Sequence, residues 1–308
     1  PISLLCVGAG GGMGPEAPLV QTTGALGAWL SERLDLSRAD MRILTITGMA
    51  AGFTVLFGAP LGSALFALEL PHRRGLQYYE AVIPAVIGSL SGYVAYAVLT
   101  HQGLGPRWDL GPVPASLGVA DLGWAVGCGV AGAAVAAGFS YGAVLLRWVV
   151  RPVPKDYRPV LCGLALGLLA LWSKYALTFG EAQIDPLAVA RGSAWVFAVA
   201  ALAKFLGTSV TLAGGWRGGF IIPLFFIGAA LGRCAHGLFP STHTAVLMTA
   251  LMAASNVGVT KTTLGSTLVV TEMAGARLLP TTLLAAVIAL LLTSPVGLIH
   301  TQQQRIQG

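Results

Sequence analysis

Glu16 is the residue best placed to do chemistry. It stands between Pro15 and Ala17 inside a glycine run, GAGGGMGPEAP over residues 8–18, with apolar sequence on either side. A carboxylate at membrane depth costs about 2.5–3.5 kcal/mol or more, so an acid kept there points to an ion or proton pathway. Residues 214–223, GGWRGGFIIP, have the same grammar: flexible glycines, a proline, then an apolar run. Proline is tolerated in the first turn of a helix, where its missing N–H has no intrahelical partner. Each segment therefore predicts a loop that delivers a helix N-terminus, the first into 19–34 and the second into 224–231. Free N–H groups and the positive end of the helix dipole converge at such a place, which suits an anion. Ionised, Glu16 competes with that anion; protonated, it is neutral and can swing away. One side chain then acts as competitor, gate and proton carrier. Two plainer readings stand beside this one. The glycines could serve only close helix packing, and Glu16 could only complement the N-terminal end of its own helix.

The elements that position these loops are membrane helices. Of 308 residues, 55% are hydrophobic and 10% charged, with a mean hydropathy of +0.77; soluble domains carry about 25% charged residues. Runs such as 117–146 and 278–292 have little or no charge and approach or exceed the length needed for the ~30 Å hydrocarbon layer. The fold class is all-α, a polytopic membrane protein. The runs 43–57 and 61–70, separated by Gly58, Ala59 and Pro60, read as too short to span. Short, Gly/Pro-interrupted segments in corresponding places of two halves predict an inverted repeat of broken and re-entrant helices with its site near the midplane. We place a partial first repeat at about 1–150 and a second at about 158–308, in one transmembrane domain covering 1–308.

The formal net charge of +6 fits a topology signal better than nucleic acid, because the basic residues sit in short loops and form no stripe. Arg33, Arg38 and Arg42 form one cluster, His72, Arg73 and Arg74 a second, and Arg147, Arg151, Lys155 and Arg158 a third. If all three face the cytoplasm, an even number of crossings separates them, supplied by 43–57 with 61–70 and by 79–99 with 117–146. Cys6, Cys128, Cys162 and Cys234 have no metal-ligand spacing and read as core thiols. No cofactor or metal is expected. The chain opens in an apolar, Gly-rich stretch, so its natural N-terminus is expected upstream. A membrane enzyme has weak support: Gly138 to Gly142 matches G-x-S-x-G, but in a helical, Ala/Gly-rich run rather than the strand-to-helix turn a nucleophile requires. A cation transporter would draw on Glu16, Glu69 and Glu272, although Glu69 and Glu272 end short helices and read as structural, dimer-side or interfacial residues.

The motifs resemble those of the CLC family of chloride channels and chloride/proton antiporters. Gly14-Pro15-Glu16-Ala17-Pro18 is similar to its G-(K/R)-E-G-P motif, and Gly219-Phe220-Ile221-Ile222-Pro223 to its G-x-F-x-P motif. The segment from Gly48 to Glu69, GMAAGFTVLFGAPLGSALFALE, looks like the family's G-A-A-A-G…F-x-A-P-x-x-G-x-L-F-x-x-E-E. Lys204, Thr208 and Thr211 resemble its K-x-x-x-T-x-x-T run, and Glu272-Met273 its E-M. The matches keep their order over almost the whole chain. The resemblance implies a homodimer in the lipid bilayer, in a bacterial or archaeal inner membrane, with one anion pathway per subunit. It implies that Glu16 is the outer gating glutamate and that the Phe220 and Ile221 amides hold the central chloride. Gly14, Ala17 and Gly219 belong to the same anion-binding loops, and protons are possible co-substrates.

Departures from the family pattern bear on mechanism. Pro15 replaces a basic residue and removes an N–H, Ala17 replaces a glycine, and Ile221 stands at the usual phenylalanine. The family's G-S-G-I-P motif would lie upstream of Pro1. The pore tyrosine is best matched by Ile299, a non-donor, with His300 beside it as an interfacial residue. Leu70 stands where many antiporters carry a second, internal glutamate, and leucine cannot relay a proton. That tilts the expectation toward uncoupled or weakly coupled conduction. Fluoride exporters of the family usually place threonine where Pro18 stands, so chloride is the expected substrate.

Overall fold

The computed structural model describes residues 2–72, 79–101, 107–295, 299 and 302. Lipid offers no partners for backbone groups, so a chain this apolar must satisfy them within helices. Among the described residues there are thirteen α-helices. They are α1 (Ile2–Gly8), α2 (Glu16–Arg33), α3 (Arg38–Phe57), α4 (Pro60–Glu69), α5 (Val82–Thr100), α6 (Val119–Val149) and α7 (Arg158–Trp172), followed by α8 (Ile184–Val189), α9 (Ala194–Ala213), α10 (Ile221–Leu238), α11 (Thr244–Thr260), α12 (Thr263–Ala274) and α13 (Leu279–Thr293). Six helical segments among the described residues are long and apolar enough to cross a membrane: those ending at Phe57, Thr100, Val149, Ala213, Leu238 and Thr293.

Two expected lengths need correction. The run 43–57 is part of a 20-residue helix, because Ser37 caps α3 six residues upstream, its Oγ accepting the Asp40 N–H at 3.2 Å. The first turn of α3 is polar, so hydropathy alone under-reads it. Likewise α10 begins at Ile221, directly off the glycine loop, and continues beyond Leu231 through Arg233 and His236. By contrast α4 is only 10 residues long, as expected for 61–70. Left-handed Gly58 ends α3, and Pro60 opens α4 at its first position, where it costs no hydrogen bond.

The short helices α4 and α12 pack together and satisfy each other's ends. The Glu69 carboxylate, at the close of α4, accepts the Leu264 and Gly265 N–H groups at 3.2 and 2.9 Å. Glu272, near the close of α12, accepts the Gly62 N–H at 3.1 Å. Each carboxylate thus neutralises orphan donors and the positive end of the other helix's dipole. The same exchange made in both directions sets the two helices antiparallel, the relation an inverted repeat requires.

Helix α11 forms the centre: every residue from Ala245 to Thr260 is buried, with α6, α10 and α13 around it. A second junction is aromatic. Phe53 and Phe57 of α3 stack at 5.7 Å, Phe57 meets Phe225 of α10 at 6.0 Å, and Trp108 meets Phe225 at 5.9 Å. Arg33, Arg38 and Arg42 fall at the α2–α3 junction, and Arg147, Arg151, Lys155 and Arg158 at the α6–α7 junction. Arg73, Arg74 and His300 lie outside the described residues. The four cysteines are free thiols, with Cys128 and Cys162 buried.

Candidate functional site

Helix α9 fixes the first glycine loop. Lys204, Thr208 and Thr211 are spaced to share one helix face. The Thr208 hydroxyl donates to the Gly12 carbonyl at 2.7 Å, and the Gly12 N–H donates to Thr211 Oγ1 at 3.1 Å. Lys204 is fully buried, and its Nζ donates to the carbonyls of Leu177 and Thr178 at 2.6 and 2.8 Å. The Thr178 N–H in turn donates to the Gly10 carbonyl at 3.1 Å. One helix face therefore holds the loop both directly and through its neighbour.

The two glycine loops then meet. Gly14 and Gly219 exchange backbone hydrogen bonds, N to O, at 2.8 and 2.7 Å, a single antiparallel bridge. Each loop passes at once into a helix, α2 starting at Glu16 after Pro15 and α10 at Ile221 after Phe220. Glu16 is 1% exposed. Its side chain reaches across the bridge, and Oε1 accepts the Ile222 N–H at 2.8 Å. Its own backbone N–H also faces the carboxylate. Oε2 has no hydrogen-bond partner among the described residues. A Cβ on Gly14 or on Gly219 would overlap this carboxylate, so both positions need glycine for the side chain to sit there.

The structure thus brings Gly14, Glu16 and Gly219 together at the start of α10. Ala17 follows in the first turn of α2 and is half-buried, and Phe220 caps α10 with its ring 5.9 Å from Phe139. Ile221 is 6% exposed. The amide aimed at Glu16 belongs to Ile222, which the sequence reading did not name. The first four N–H groups of any helix lack intrahelical partners, and motif spacing alone does not say which of them a ligand meets. Ile299 is half-buried and lies beside Gln302. Its carbonyl faces the Gln302 N–H at 3.5 Å, and Gln302 Nε2 donates to the carbonyls of Leu70 and Thr260 at 3.1 and 2.6 Å. Ser140 of the G-x-S-x-G match sits inside the unbroken helix α6, which offers no nucleophile turn.

The arrangement places a buried carboxylate on the free N–H end of a helix, an end whose donors and dipole suit negative charge. Residues 2–294 match the voltage gated chloride channel family. A chloride/fluoride channel protein of Pseudomonas syringae pv. tomato is 28% identical, over 96% of this chain and 65% of its own length. The voltage-gated ClC-type chloride channel ClcB of Shigella flexneri is 26% identical, over 93% of this chain and 70% of its own. This chain therefore spans about two thirds of the length of these relatives. Among solved structures, a CLC-type fluoride/proton antiporter superposes with a TM-score of 0.85 at 22% identity, covering 96% of this chain and 74% of that one. A slow cyanobacterial Cl-/H+ antiporter gives 0.82 at 21%, covering 94% and 70%. The chain is a multi-span membrane protein with the CLC fold, and it belongs to the voltage gated chloride channel family.

Proposed function

We propose that the protein carries chloride, or a similarly small anion, across the cell membrane of a bacterium or archaeon, through a pathway gated by Glu16. The observation that carries this reading is the Glu16 carboxylate seated on the Ile222 N–H at 2.8 Å. An ionised carboxylate and a halide compete for the same donors, so the seat of one is a seat for the other. Gly14, Ala17, Gly219, Phe220 and Ile221 surround the start of the two helices and complete the anion site. Protonation of Glu16 releases its claim on the amide, and the side chain then carries a proton as it withdraws. Leu70 offers no internal acid, which favours a channel or weakly coupled exchange over tight antiport. The proposal includes a homodimer with one pathway per subunit, and a repeat division near residue 150.

A second reading, fluoride as the substrate, is favoured by the names of two similar proteins, the chloride/fluoride channel protein and the fluoride/proton antiporter. Against it stands Pro18 at the position where fluoride exporters of the family usually carry threonine. Ion-selective electrodes on liposomes holding the full-length protein decide between them. Chloride release well above fluoride release is expected. Preferential fluoride release replaces chloride with fluoride, and potassium release with neither anion moving would return the cation reading built on Glu16, Glu69 and Glu272.

A further inference from the structure

An asparagine in the middle of a wholly buried helix is an expensive choice unless both ends of its amide are paired. Asn256 of α11 is fully buried, and both ends are paired. Its Nδ2 donates to the Ile221 carbonyl at 3.3 Å, and its Oδ1 shares the Thr260 hydroxyl proton with the Asn256 backbone carbonyl, at 3.0 and 2.9 Å. Thr260 Oγ1 lies 2.7 Å from Thr262 Oγ1, which lies 2.7 Å from Ser266 Oγ. All of these residues are fully buried, so the chain of hydroxyls runs through the interior and fixes which way the amide points.

The bonded carbonyl is a significant one. The Ile221 C=O and the Ile222 N–H belong to the same peptide unit. Asn256 therefore donates to one end of the peptide whose other end donates to Glu16 Oε1 at 2.8 Å. Hydrogen bonds in series polarise one another, by about 10–30% per bond; donation to the oxygen makes the N–H a stronger donor and holds the peptide plane. Packing alone does not call for this group, since small and apolar residues of α11 meet α10 elsewhere along the contact.

We propose that Asn256 is a positioning residue for the anion site: through the Ile221–Ile222 peptide it orients and strengthens the N–H that holds the Glu16 carboxylate or the anion that replaces it. It touches neither the anion nor Glu16, and Thr260, Thr262 and Ser266 fix its orientation. The inference rests on reading the seat of Glu16 as the anion site.

The test is chloride titration by calorimetry of the full-length protein in detergent, in a Glu16→Gln background that leaves the seat open to the ion. Asn256→Leu keeps the volume and removes the donor; it is expected to weaken chloride binding about five- to tenfold. Thr260→Val leaves Asn256 in place but frees its Oδ1, with a smaller loss in the same direction, about two- to threefold. In liposomes both variants are expected to raise the half-saturating chloride concentration more than they lower the maximal rate. A folded Asn256→Leu protein with unaltered chloride affinity overturns the inference, even if its melting temperature drops, because that is the mark of a packing residue. Should Asn256→Leu fail to fold, an unaltered affinity in Thr260→Val overturns it equally. Absence of chloride binding in the Glu16→Gln parent removes the anion site itself and this inference with it, an outcome distinct from binding that ignores position 256.

Discussion

Glu16 depends at the residue scale on what its neighbours lack. Gly219 has no side chain where the carboxylate rests, so a Gly219→Ala methyl would overlap it. The expected result is a gate dislodged from its seat, with anion efflux at alkaline pH rising several-fold above wild type; an unaltered pH profile in liposome efflux would contradict it. Lys204 is the second such residue. Lys204→Met removes two hydrogen bonds to carbonyl oxygens, each typically worth about 0.5–1.5 kcal/mol, and loosens the loop that Thr178 ties to Gly10. A clear fall in melting temperature in detergent is expected, with weaker gating as its consequence. The burial of Glu16 beside the second glycine loop fits what made it stand out in the sequence, since an acid between Gly/Pro breaks in an apolar run is rare and costly. Ile222 and Asn256 were not legible. One acts through a backbone N–H that any residue carries, and the other lies far along the chain, with only its place in α11 linking it to the site.

Among the elements, α4 and α12 give the sharpest expectation. Their end-to-start exchange through Glu69 and Glu272 is a pair of helix caps built from distant sequence. Loss of a cap acceptor typically costs about 1–2 kcal/mol. Glu69→Leu and Glu272→Leu should each destabilise the protein by that order. The two caps lie at opposite ends of helices about 15 Å long, far enough apart that the losses should add to within about 0.5 kcal/mol in the double variant. Chemical or thermal unfolding of the four proteins measures this, and a loss confined to one site would contradict the reciprocal arrangement. The sequence reading treated these acids as structural or interfacial ends of short helices. It identified the short α4 correctly and under-read α3 and α10, because a polar first turn at Ser37–Arg42 and the glycine loop before Ile221 mask helical residues from a hydropathy reading.

In the whole molecule, the decisive feature is that two loops separated by about two hundred residues of chain close on one another. The Gly14–Gly219 bridge, the α4–α12 pair and the Phe57–Phe225 contact all join the early part of the chain to the late part. Similar loop grammar at 8–18 and 214–223 made an inverted repeat readable, yet only three-dimensional placement shows the acid of one loop resting on the helix delivered by the other. That placement supports the proposal that Glu16 and a transported anion contend for one seat. The most direct test is chloride efflux from liposomes holding the full-length protein, with external pH recorded at the same time, for wild type and Glu16→Gln. Chloride efflux in wild type is expected to rise as the pH falls, since protonation neutralises the competitor. Glu16→Gln should conduct chloride with that pH dependence lost and with no proton movement. Chloride efflux in Glu16→Gln with the wild-type pH dependence intact, or no chloride efflux in either protein, would contradict it.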